Sequence, residues 1–156
     1  MGAAYFYHLT RQPMDVTLPI LIGKAREAGW RVLVRGRSPE RMDWWDQKLW
    51  QVGGDEGFLP HGLAGSAHAA EQPILLCHDM TNANGAACLM TIDGADVQPD
   101  EVIQSERVCI LFDGHDMDAV AQARVQWKTL TDAGCAAQYW SEETGNWQKK
   151  AEKTVD

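Results

Sequence analysis

The chain has 156 residues, 45% of them hydrophobic, and a formal net charge of −8. That length suits one domain with a sizeable core, and the composition is too apolar for a disordered chain. The acidic balance argues against broad phosphate binding, because nucleic-acid surfaces are normally basic, and no run reaches the ~18 apolar residues of a membrane span.

Residues 3–9 read as a first strand. Thr17 is positioned as an N-cap, with Pro19 in the first turn of a helix that ends at Gly29. Residues 30–34 form a second strand. Ser38-Pro39-Glu40 opens a second helix with a cap, a proline at the first helical position and an acid near the positive dipole end. Met42, Trp45, Leu49 and Val52 recur along it at helical spacing, and Gly53-Gly54 ends it. Strands at 73–77 and 88–92 flank a turn at 82–85, and a short helix covers 99–104. Residues 108–112 are wholly apolar and suit a central strand covered on both faces. Asp113 or Asp116 caps the helix that ends near Gly134, and 136–140 is the sixth strand.

Strands alternating with helices predict the α/β class. The expectation is a single Rossmann-like domain over 1–141, with a mainly parallel sheet of about six strands and helices on both faces. Residues 142–156 read as a charged, frayed tail, partly ordered around Trp147.

The last long helix concentrates a binding signal. At about 100° per residue, Met117, Ala121, Arg124 and Lys128 share one face, with Trp127 on its border. Ala119, Val120, Ala123, Leu130 and Ala133 form the opposite, core-facing stripe. Two cations beside an apolar surface and an indole suit a carboxylate on a greasy body, such as a peptide's C-terminal end. Solvated charge beside a peripheral core tryptophan is the plainer alternative.

Catalytic signals are weak. Cys77-His78-Asp79 cannot act as a triad, since adjacent residues of an extended segment face opposite ways. His61 and His68 lack a second pair at ligand spacing. Gly62-Leu63-Ala64-Gly65 has neither the position nor the pattern of a dinucleotide fingerprint, and no Walker loop is present. No catalytic residue, metal or cofactor is therefore expected. Cys77, Cys88, Cys109 and Cys135 form no C-x-x-C pair and read as buried free thiols of a reducing compartment. With no signal-peptide core at the start, a cytoplasmic protein is expected.

Leu49-Trp50, followed by Phe58-Leu59-Pro60-His61-Gly62-Leu63-Ala64-Gly65, resembles the central signature of the chi subunit of bacterial DNA polymerase III. Ala4-x-Phe6-Tyr7, Gly29-Trp30-Arg31-Val32-Leu33, Ala123-Arg124-x-x-Trp127-Lys128 and Trp147 agree in order and spacing. The resemblance implies a non-catalytic accessory subunit of the replicative holoenzyme. It also implies two partners: the acidic C-terminal tail of single-stranded DNA-binding protein, and the psi subunit or another clamp-loader component. DNA would be reached only indirectly. By this resemblance the tail site is Arg124, Trp127 and Lys128, and the tail ends in Ile-Pro-Phe. Arg124 can then hold its terminal carboxylate, Trp127 and Met117 can flank its Phe ring, and Lys128 can attract the upstream acids. Val120 departs from the family, which often carries a basic residue there. Trp44 falls off the buried stripe of the second helix and is a candidate second interface. The alternative reading is a small nucleotide-binding or hydrolytic enzyme that uses the His61–Gly65 loop.

Overall fold

The computed structural model describes residues 2–51, 60–142 and 147–154. Eight strands build one sheet: β1 (Ala3–Leu9), β2 (Val32–Arg35), β3 (Gly62–Leu63), β4 (Ile74–Cys77), β5 (Cys88–Thr91), β6 (Arg107–Asp113), β7 (Ala136–Ser141) and β8 (Gln148–Lys153). Their order across the sheet is β3-β4-β2-β5-β6-β1-β7-β8. Every pairing is parallel except that of β7 with β8. The helices are α1 (Met14–Glu27), α2 (Pro39–Gln51), α3 (Pro99–Gln104) and α4 (Met117–Asp132). The architecture is thus the expected Rossmann-like α/β type, with two more strands than the sequence pattern shows.

The core lies in two layers, one on each face of the sheet. Phe6, Leu33, Val108 and Ile110 pack with Val102 of α3 and with Ala123 and Leu130 of α4. Val34, Met90, Cys109 and Leu111 pack with Leu18 and Ile22 of α1 and with Met42, Trp45 and Leu49 of α2. Strand β6 sits between β5 and β1, and Val108–Phe112 is buried throughout. This is the central position that a fully apolar strand requires.

Helix ends follow local chemistry. Ser38 caps α2, its Oγ accepting from the Arg41 N–H at 3.2 Å. Gly29 and Gly134 take positive φ after α1 and α4. In each case the next residue's N–H reaches back to the helix, Trp30 to Ala25 O and Cys135 to Leu130 O. The start of α1 differs from the sequence reading. It begins at Met14, so Thr17 is buried inside the helix and Pro19 is internal. The Val16 and Thr17 N–H groups both donate to Pro13 O at 3.1 Å. Burial of Leu18, Ile22 and Ala25 compensates for the hydrogen bond that Pro19 cannot donate.

The tail also departs from its expected frayed state. Glu142 is buried, and its Oε1 accepts from the N–H groups of Thr10, Arg11 and Gln12 at 3.0–3.2 Å. Gln148–Lys153 then adds β8 to the edge of β7, with a register shift at Tyr139/Trp140. A further surprise is Arg35. It ends β2 fully buried and meets Glu101 of α3 through two bonds of 3.0 and 2.7 Å. A bidentate pair of this kind compensates for taking the guanidinium out of water.

Candidate partner-docking site

Helix α4 is fixed at both ends and along one side. Its N-cap, Asp116, accepts from the N–H groups of Asp118 (3.0 Å) and Ala119 (3.3 Å). Midway, the Gln126 side chain donates to Ala95 O at 2.9 Å and tethers the helix to the loop after β5. Ala123 and Leu130 are buried in the core, while Ala119, Val120 and Trp127 pack against it half-exposed. Ala133, expected in the same stripe, is instead the exposed C-cap, where the chain has already turned away.

Trp127 stands at the boundary. Its ring meets Phe6 edge-on at 5.4 Å and Tyr139 at 6.1 Å between centroids. These contacts hold the indole rigid and leave part of it in solvent. Next to it lies an outer face of exposed residues. Met117 is 83% exposed and Val125 62%, and Ala121, Arg124 and Lys128 are exposed with them. Among the described residues Arg124 makes no hydrogen bond or ion pair. Lys128 pairs with Asp132, one turn on, at 3.0 Å, and both side chains are well exposed. Such a pair contributes little and exchanges readily. The outer face of α4 therefore carries Arg124, Trp127 and Lys128 within about one turn of each other, with Met117 on the same face about two turns before Arg124. Val125, which the sequence reading passed over, adds an apolar flank on the side away from Trp127. Its signal was an apolar residue beside the cationic face and off the core stripe. Val120 lies on the Trp127 side and packs inward, so no side chain there extends the positive charge outward.

The other sequence candidates are bound up in structure. His61 is buried, its Nε2 lying 2.9 Å from Asp46 O and 3.1 Å from Asp46 Oδ1. The Trp50 ring covers it at 4.3 Å. Gly62 and Leu63 pair with β4 as β3. Phe58, Leu59, Val52, Gly53 and Gly54 lie outside the described residues. Cys77 donates its thiol to Asp79 O at 3.6 Å, and burial pushes its pKa up, away from the thiolate. The Asp79 carboxylate is engaged by the Thr81 hydroxyl at 2.6 Å and its N–H at 3.1 Å, which lower its pKa. His78 points to solvent. His68 contacts Glu71 at 3.3 Å on the surface. Among the described residues no group of three His, Cys, Asp or Glu could hold a metal ion.

Helix α2, on the opposite face of the sheet from α4, carries a second aromatic surface. Trp44 is 44% exposed, edge-on to buried Trp45 at 5.0 Å, with the Arg41 guanidinium 4.8 Å from its ring centre. Trp50 is half-exposed at the same helix's end. It too falls off the stripe of Met42, Trp45 and Leu49, the signal by which its exposure could have been read from sequence.

A model of the protein family described as DNA polymerase III chi subunit, HolC, matches residues 1–138. No curated protein matches the chain. Residues 1–138 span most of the sequence and include every element through α4 and the first half of β7. The chain belongs to the DNA polymerase III chi subunit family.

Proposed function

We propose that this DNA polymerase III accessory subunit links the clamp loader to single-stranded DNA-binding protein, by docking that protein's acidic C-terminal tail on α4. The observation that carries the reading is Arg124. It is an exposed guanidinium without a partner among the described residues, set beside a rigid, half-exposed indole on an acidic protein. The planar guanidinium fork matches a terminal carboxylate. Trp127 flanks the Phe ring of a tail ending in Ile-Pro-Phe, Val125 extends the apolar strip, and Met117, about two turns before Arg124, offers a further apolar contact along the helix. Lys128 turns from Asp132 to the upstream acids, exchanging one exposed ion pair for another. The subunit has no catalytic role in this scheme, and it works in the cytoplasm. Among the described residues no helix is long and apolar enough to cross a membrane.

Trp44 is the candidate anchor for the second partner, the psi subunit or another clamp-loader component, and Trp50 enlarges that surface. Because α2 and α4 lie on opposite faces of the sheet, both partners can bind at once. DNA is reached through the protein that coats it, since a net charge of −8 disfavours direct contact.

The test is a titration with a labelled acidic peptide ending in Ile-Pro-Phe, beside a bare single-stranded oligonucleotide and a set of nucleotides. Micromolar peptide binding, about −8 kcal/mol, is expected. Removing the last Phe should weaken it more than neutralising any one acid, because only that residue brings both ring and carboxylate. Sub-micromolar binding to the oligonucleotide at physiological salt would overturn the bridging role. Nucleotide binding without peptide binding would favour an enzyme built on the His61–Gly65 loop.

A further inference from the structure

The face of the sheet opposite α4 carries a groove that tail docking leaves unused. It runs between α1 and the strands β1, β5, β6 and β7 and has a volume of about 420 Å³, the size of a small-ligand site. Its walls are aromatic: Tyr5, Tyr7, Trp30, Trp140 and Trp147. Two cations line it, Lys24 and Arg107, and no carboxylate does so among the described residues. On a chain with 22 acidic and 14 basic residues, such a local excess of positive charge favours an anion. Neither cation has an ion pair or hydrogen bond to its side chain among the described residues. The Arg107 guanidinium lies 4.3 Å from the Tyr5 ring centre and 5.4 Å from that of Trp30. Stacking holds the fork in place while its N–H edge stays unused.

We propose that this groove binds a small planar aromatic carboxylate. The ring lies between the tyrosine and tryptophan walls, and the carboxylate is held by Arg107 and Lys24. A carboxylate presents two oxygens to the guanidinium fork. A phosphate monoester presents three, which elsewhere are met by backbone N–H groups at a helix start or a glycine nest. Here the lining comes from α1, the strands and the segments beside them, and holds no glycine.

The probe is naphthalene-1-acetate, titrated into the full chain and followed by the indole N–H signals in proton–nitrogen spectra. Saturable shifts of the Trp30 and Trp147 signals are expected. The neutral naphthalene-1-acetamide should bind at least about tenfold more weakly, as should 1-naphthyl phosphate. Arg107→Gln should weaken the acid about tenfold or more, and Lys24→Gln several-fold. Arg124→Ala, on the other face, should change nothing. Lys24 is exposed on α1, so its variant keeps the fold and decides the matter if Arg107→Gln does not fold. Equal binding of the amide, tighter binding of the phosphate, indifference to Lys24→Gln, or shifts confined to Trp127 would each overturn the proposal.

Discussion

The outer face of α4 and the loop at 60–65 carry the chain's two densest motifs, and they use their polar groups in opposite ways. On α4, Arg124 has no partner among the described residues, and Lys128 holds only an exposed, one-turn ion pair. In the loop, His61 is buried against Asp46 and covered by Trp50, and Gly62-Leu63 is hydrogen-bonded into the sheet. Binding capacity left over after folding marks the first region as a docking surface. Binding capacity consumed by folding marks the second as structure. A specific motif therefore says that residues matter, while the fate of their donors and acceptors says for what.

The largest effect is expected at His61. His61→Ala should cost roughly 2–4 kcal/mol of stability, because it removes packing under Trp50 and strands the Asp46 acceptors. Denaturant melts should show the loss while the tail peptide binds as before. If the variant is as stable as the parent, the loop's polar groups are not structural.

Arg124→Ala should do the reverse. Stability should hold, and peptide affinity should fall by about 1.5–3 kcal/mol through loss of charge-assisted bonds. Calorimetric titration distinguishes this from a variant that binds like the parent, which would place the tail elsewhere.

Asp116→Ala sharpens the contrast within α4 itself. Loss of the two N-cap bonds should destabilise by about 0.5–2 kcal/mol. Because Asp116 lies about two turns from Arg124, thermal melts should move while peptide affinity changes little. Lys128→Ala is the smallest effect, about 0.2–1 kcal/mol in binding. It should vanish first as salt rises, since exposed charges are screened beyond ~10 Å at 0.1 M. Titrations at two salt concentrations check it. An effect as large as that of Arg124→Ala would mean that Lys128, not Arg124, meets the carboxylate.

What the sequence determined by itself was local. Short-range bonds set the glycine turns after α1 and α4, the whole of α3 and a cap at Asp113 or Asp116, so residue type and spacing predict them, and the structure chooses Asp116. Helical periodicity likewise placed Arg124, Trp127 and Lys128 together, because three or four residues along a helix is a neighbouring position in any fold. The rest depends on contacts between distant segments. Gln-Lys-Lys-Ala-Glu-Lys has no strand pattern and becomes β8 because β7 offers an unpaired edge. Glu142 is buried because the β1–α1 loop presents three N–H groups at that point. Arg35 closes an apolar strand because Glu101, distant in sequence, stands where its fork can be met. Each of these depends on a partner far along the chain, and pairing across that distance leaves no local periodicity to read.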